Sequence, residues 1–139
     1  MAAVSTNAFQ YAVLRAVPRI DRGEFINVGV IIYCQEMDFL RAAVAFDDDR
    51  LRALAQDVDL DAVHTSAEAV VAACQQVGGS ARENDGLAAR FGMLTAPRST
   101  VVQPSPVHAG VTEDPATTLR VLLQRLVAPA QWTPTGDRD

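Results

Sequence analysis

The chain has 139 residues, of which 49% are hydrophobic and 21% charged, and its formal net charge is −5. This length and composition suit one folded domain and exclude a disordered polymer, and the acidic balance disfavours charge-driven binding to nucleic acid. No apolar run approaches the roughly 18 residues of a membrane span, and the first residues lack a secretory leader pattern, so we expect a cytoplasmic protein.

Three strands are predicted at the start of the chain. The first, Phe9–Val17, ends at Pro18, which has no N–H to donate to a sheet. The second, Phe25–Cys34, has apolar residues at every even position, and the third, Phe39–Phe46, follows a short turn. Short connections favour an antiparallel meander, with the even face of the second strand against the core.

Two helices are predicted after the strands. The aspartates Asp47, Asp48 and Asp49 begin the first helix, because acidic side chains accept hydrogen bonds from free N–H groups at a helix start. The second helix runs from about Leu60 to Val77, where Gly78 and Gly79 end it.

The remaining elements are shorter, except for the last helix. A polar loop, Ser80–Gly86, precedes a short helix over Leu87–Leu94, and Ser99–Gln103 is compatible with an edge strand. The final helix is the clearest prediction, since Asp114 is a favourable N-cap, Pro115 a favourable first residue, and leucines follow at helical spacing.

These elements predict an α+β fold: a three-stranded antiparallel meander, with an optional short edge strand and with helices packed on one face. We expect residues 9–127 to form a single domain. Residues 1–8 and 128–139 are expected to be flexible termini.

A mixed-charge segment, residues 19–24, joins the first two strands and is the first candidate site. It carries Arg19, Asp21, Arg22 and Glu24, and the strand after it carries Asn27. Two interpretations are open. The charges pair with one another as ordinary turn residues, or the arginines are available to a partner or an anion.

A polar sheet face is the second candidate. Odd positions of the three strands point away from the even apolar face and would form a groove or interface opposite the core. The residues are Tyr11, Arg15, Asn27, Tyr33 and Arg41.

The basic residues restrict the chemistry available. All 12 are arginine, which excludes lysine Schiff bases, lysine general bases and phosphate-binding-loop lysines. An anion would therefore be held by guanidinium groups, with Glu24 or His108 as the acid–base group. The candidate arginines are Arg15, Arg22, Arg41 and Arg90.

Other catalytic and metal patterns are weak. Ser105 and His108 could form a nucleophile–base pair only with an orienting acid and an oxyanion site, and no G-x-S-x-G motif is present. The aspartates near residues 47–61 fit helix capping better than a calcium loop. Cys34 and Cys74 fit free buried thiols better than a disulfide, and no cofactor or metal is expected.

Two groups of residues resemble a known bacterial family. The N-terminal group includes Arg22-Gly23-Glu24-Phe25 and Asn27-Val28-Gly29-Val30 together with Tyr11, Arg15, Val17 and Pro18, and the C-terminal group includes Arg90-Phe91, Pro106-Val107-His108, Gly110 and Asp114-Pro115. Together they resemble the family known as domain of unknown function 3037, over about Phe9–Val127. The resemblance implies no activity and no catalytic residue. Family genes often lie beside genes for HipA-like serine/threonine kinases, which implies an accessory role, and the all-arginine composition fits an actinobacterial origin.

The leading hypothesis from the sequence is a non-enzymatic interaction module whose partner is a protein, with a HipA-like kinase as the candidate. The alternative is a small enzyme or binding protein for a phosphorylated or carboxylate ligand. An exposed sheet edge would also allow a homodimer. The candidate binding residues are Arg15, Arg19, Arg22, Glu24, Asn27, Arg41, Arg90 and His108.

Overall fold

A computed structural model describes residues 5–75 and 83–128, which form nine elements. In chain order these are β1 (Asn7–Ala16), β2 (Ile26–Cys34), β3 (Phe39–Val44), α1 (Asp48–Leu54), α2 (Leu60–Gln75), α3 (Glu83–Leu94), β4 (Val102–Pro104), β5 (His108–Thr112) and α4 (Pro115–Leu126). The α+β class is as the sequence predicts.

The strands form one antiparallel sheet of five strands. β3, β2 and β1 follow each other as the expected meander, and both β4 and β5 pair with the other side of β1. β4 lies beside the C-terminal end of β1, and β5 lies beside its N-terminal end. β4 is the expected edge strand, whereas β5 was not predicted, because prolines precede it and a glycine lies at its centre.

A serine bridges the break between β4 and β5. The Ser105 N–H donates to the Val13 carbonyl, and the Val13 N–H donates to Ser105 Oγ, both at 2.8 Å. Ser105 Oγ in turn donates to the carbonyl of Pro106 at 2.9 Å. The hydroxyl thus takes the place of a backbone acceptor where the chain leaves the regular ladder, and Ser105 is only 3% exposed.

A bulge in β2 changes which side chains share a face. Leu14 pairs with Gly29 but Arg15 pairs with Asn27, so Val28 has no partner in β1. Val28 therefore faces the same way as Ile31, whereas Val30 faces the opposite way. The prediction of one unbroken even face on this strand is wrong for this reason.

Helices cover both faces of the sheet rather than one. α1, α2 and α3 pack over a core that includes Leu14, Ile31, Leu51 and Val63. On the opposite face α4 covers β2 and β3, and a second core lies there, comprising Phe9, Val30, Ile32, Cys34, Leu119, Leu123 and Val127. The class is unchanged, but β2 is buried on both sides because residues 30–34 are apolar at consecutive positions and alternate between the two cores.

Two helices, α1 and α4, begin at the N-cap residues that the sequence predicts. Asp47 accepts a hydrogen bond from the N–H of Arg50, and Asp114 accepts one from the N–H of Ala116. α3 begins at Glu83, inside the segment expected to be a loop. Gly78 and Gly79, the expected stop of α2, lie outside the described residues, as do residues 1–4 and 129–139.

No helix within the described ranges is long and apolar enough to span a membrane.

Candidate functional site

The connection between β1 and β2 is a compact turn. The N–H groups of Arg22 and Gly23 both donate to the carbonyl of Arg19, at 3.1 and 3.2 Å. Gly23 has a φ of +69°, a left-handed conformation that glycine adopts without steric cost. Just before the turn, the N–H of Val17 donates to the Val101 carbonyl at 2.7 Å. The turn is therefore anchored to the sheet and presents its side chains outward in a defined shape.

Each arginine of the turn pairs with the acid two residues later. Arg19 contacts Asp21 at 3.2 Å, and Arg22 contacts Glu24 at 2.6 Å. The hydrogen bond from Arg19 lowers the pKa of Asp21, and the hydrogen bond from Arg22 lowers the pKa of Glu24. All four side chains are exposed, so these pairs are weak and exchangeable.

An open cleft of about 430 Å³ lies beside this turn. Pro18, Arg19, Arg22 and Glu24 line one side, and residues 53–57, at the end of α1 and the start of the α1–α2 linker, line the other. Arg22 uses Nε to bind Glu24, and its terminal amino groups form no hydrogen bond with the described residues. The cleft therefore has guanidinium donors on one wall and, through Asp57 and the carbonyl end of α1, negative character on the other.

Two large apolar side chains at the turn are exposed to solvent. Ile20 is 51% exposed and Phe25 is 44% exposed. The guanidinium of Arg15 lies over the Phe25 ring, with Cζ 4.1 Å from the ring centroid, and this contact holds the ring against the sheet. The Nε of Arg15 is buried and has no hydrogen-bond partner among the described residues. We call residues 18–25 with residues 53–57 the turn surface.

The other predicted binding residues do not join the turn surface. Asn27 donates from Nδ2 to the carbonyl of Leu126 at 2.9 Å and so caps the end of α4. Arg41 lies over the ring of Phe39 on β3, at 5.0 Å. These two side chains lie on the α4 face of the sheet and contact that part of the domain.

Arg90 and His108 lie at two further places. Burial raises the pKa of the Cys74 thiol to about 11, and the positive charge of Arg90, on α3, partly opposes this rise. His108, at the start of β5, packs beside Tyr11 with the two rings tilted and their centroids 5.2 Å apart. The eight candidate residues therefore belong to four separate surroundings and do not form one anion clamp.

The expected polar sheet face is only partly formed. Tyr11, Arg15, Asn27 and Arg41 do share one face, but α4 packs on that face over β2 and β3. Tyr33 is buried on the other face, where its ring stacks on Phe91. The bulge at Val28 reverses the alternation and separates Tyr33 from the others, and this correction removes the open groove.

Ser105 and His108 do not form a nucleophile–base pair with each other among the described contacts. The hydroxyl of Ser105 is engaged with Val13 and Pro106, while the His108 ring packs on Tyr11. The described residues contain no group of three or more potential metal ligands.

The sequence alone did not reveal the apolar part of the turn surface or its second wall. Ile20 is a large apolar residue within the mixed-charge segment and Phe25 directly follows that segment, and this contrast is the signal that the sequence offers. Residues 53–57 lie about thirty positions further along the chain and carry no motif. Leu51 anchors α1 in the core of the domain, and the residues that follow it line the cleft beside the turn.

A family model matches residues 11–127, and its description is protein of unknown function (DUF3037). The chain belongs to this family. The match confirms the resemblance read from the N-terminal and C-terminal motifs of this DUF3037 protein. No curated protein and no solved structure matches it.

Proposed function

We propose that this DUF3037 protein is a non-enzymatic interaction module, and that the turn surface is where a protein partner binds. A HipA-like serine/threonine kinase is the candidate partner, because genes for such kinases often lie beside those of the family. The proposal also takes the protein to be bacterial and cytoplasmic.

The observation that carries the proposal is the combination of exposed apolar and exchangeable charged groups on a well-anchored turn. Protein interfaces characteristically centre on a few large apolar side chains and arginines, surrounded by polar groups. Ile20 and Phe25 supply the apolar contacts, and Arg19 and Arg22 supply donors. Since the ion pairs of this turn are exposed, a partner carboxylate can replace Asp21 or Glu24 at little cost.

The scattered positions of the other candidate residues favour a partner over a small ligand. A small-molecule site concentrates several polar groups in one enclosed cavity. Here Asn27, Arg41, Arg90 and His108 are all engaged away from the cleft. The second candidate function, a carboxylate or phosphate site, rests on the cleft and on Arg19 and Arg22 alone.

Co-expression with the neighbouring kinase, followed by purification and a direct binding titration, tests the proposal. We expect a complex, and we expect Ile20→Asp and Arg22→Ala each to weaken it about tenfold, which corresponds to ~1.4 kcal/mol. Met93→Asp and Arg125→Ala are matched controls, because Met93 is 63% exposed on α3 and Arg125 is exposed on α4.

All four variants should keep the wild-type melting temperature, since each changed side chain is exposed. Failure of the folded wild-type protein to bind the kinase would remove that partner. If the turn variants and the controls bind equally well, the turn surface is not the binding site. A thermal shift with inorganic phosphate that Arg22→Ala abolishes would instead favour the anion-site alternative.

A further inference from the structure

The outer edge of β5 has an unusual combination of features. β5 pairs with β1 on one side, and its last residue, Thr112, bonds to Thr118 of α4 through the two hydroxyl groups at 2.6 Å. Val111 is 71% exposed, more than any other large apolar residue of the described segments. The strand, His108-Ala109-Gly110-Val111-Thr112, has no formally charged residue when His108 is neutral.

The hydrogen-bond pattern of β1 shows which groups of β5 point outward. Val13 and Val17 direct their N–H groups to Ser105 and Val101, on the β4–β5 side. Bonded and non-bonded pairs alternate along antiparallel strands, so Phe9 and Tyr11 also direct theirs to that side. Their partners in β5 are Gly110 and His108, which leaves the N–H and C=O groups of Ala109 and Val111 directed outward.

The other sheet edges are protected against pairing. The β4 part of the same edge contains Pro104 and is followed by Pro106, neither of which has an N–H. The opposite edge, β3, carries the exposed Arg41 and has α2 on one face and α4 on the other. Charges, prolines and covering helices are the usual protections of a sheet edge, and within residues 5–75 and 83–128 none of them lies along β5.

We propose that β5 pairs with β5 of a second copy of this chain, antiparallel, to join two sheets into one of ten strands. The occupant is a second copy because the edge is complementary to itself. With Gly110 opposite Gly110 on the two-fold axis, Ala109 of each copy pairs with Val111 of the other. The outward backbone groups then meet one another, as a hydrogen-bonded antiparallel pair requires.

The flanking charges agree with this register. Glu113 follows β5 and falls opposite Val107 of the second copy, so the acids of the two chains lie at opposite ends of the paired strands. His108 falls opposite Thr112, and no like charges face each other across the axis. Glycine at the axis leaves room between the strands, while the ring of Phe9 covers Gly110 within its own chain.

The dimer leaves the turn surface accessible. β5 pairs with the N-terminal half of β1, and the turn surface begins after the C-terminal end of the same strand, about 30 Å away for a ten-residue strand. The dimer would therefore present two turn surfaces, directed away from the shared axis. Its existence does not depend on the function proposed above.

Sedimentation equilibrium of the purified protein over a wide concentration range tests the proposal. We expect a species of twice the 14.9 kDa monomer mass. Val111→Pro removes an outward N–H without removing a bond to β1, and Val111→Lys places a charge on the edge. Both should shift the protein to monomer, whereas Val121→Lys, at a 40% exposed position on α4, should remain dimeric.

Amide hydrogen exchange provides the residue-level test in the same samples. We expect the amides of Ala109 and Val111 to become protected as concentration rises, with no such change in Val111→Lys. A wild-type protein that stays monomeric at all concentrations would overturn the proposal, even if β5 bound a strand of another protein. The proposal would also be overturned if folded Val111→Lys dimerised as strongly as wild type. It would likewise be overturned if the wild-type protein dimerised without protection of the Ala109 and Val111 amides.

Discussion

Ser105→Ala tests whether the Ser105 hydroxyl stabilises the sheet at the break between β4 and β5. The substitution removes the hydroxyl that accepts from the Val13 N–H at 2.8 Å, and alanine offers no replacement. Val13 is 8% exposed and Ser105 is 3% exposed, so water cannot easily satisfy the freed N–H. A buried donor left unsatisfied costs about 1–3 kcal/mol.

The expected loss is measurable by two methods. For a domain of this size about 3 °C of melting temperature corresponds to each kcal/mol, so Ser105→Ala should melt about 3–9 °C below wild type. Urea titration should show a lower midpoint at an unchanged slope. Ser99→Ala, at an exposed position, is the control and should match wild type.

Equal stability of Ser105→Ala and wild type would refute this account of the break. Labelling of Ser105 by a fluorophosphonate in the native protein would refute it too, because that reaction requires a hydroxyl activated as a nucleophile. We expect no labelling, since the hydroxyl is buried and bonded to backbone groups of two residues.

Three further predictions concern packing, capping and thiol reactivity. Gly29→Ala should lower the free energy of unfolding in urea by about 1–3 kcal/mol, because the new Cβ would lie 2.8 Å from the Ala43 carbonyl oxygen. Gly86→Ala is the control and should not destabilise the protein, since the space around Gly86 is open. The hydrogen bond from Thr117 lowers the pKa of Asp114 in the folded protein. The ionised Asp114 carboxylate therefore stabilises the fold above the pKa of the unfolded state, and this stabilisation is lost as pH falls through the folded-state pKa. In an acid titration of the free energy of unfolding, Asp114→Asn should therefore lose less stability than wild type. Iodoacetamide at pH 8 should label Cys74, whose pKa burial raises to about 11, only after denaturant is added, and rapid labelling of the native protein would contradict its burial.

Local signals predicted the elements that depend on neighbouring residues. α4 begins where Asp114 and Pro115 indicate, since an N-cap and a first-turn proline act within a few residues. The first three strands also appear where their apolar runs predict them. The free, buried state of Cys34 and Cys74 agrees with their positions inside apolar elements.

Features that depend on distant pairing could not be predicted in this way. The bulge at Val28 reflects the register between β1 and β2, and it decides which side of the sheet Tyr33 occupies. β5 is short and follows two prolines, and it forms a strand because β1 offers an unpaired edge. The second wall of the turn surface arises from tertiary packing between segments far apart in sequence.

Amide chemical-shift mapping tests most directly whether a protein partner binds at the turn surface. Uniformly ¹⁵N-labelled protein is titrated with the purified HipA-like kinase, and the shifted or broadened amides are assigned. We predict that the affected amides cluster at residues 19–25 and 53–57, including the amides of Ile20 and Arg22 and of their neighbours in the chain. A saturating complex whose affected amides lie elsewhere on the domain would contradict the claim.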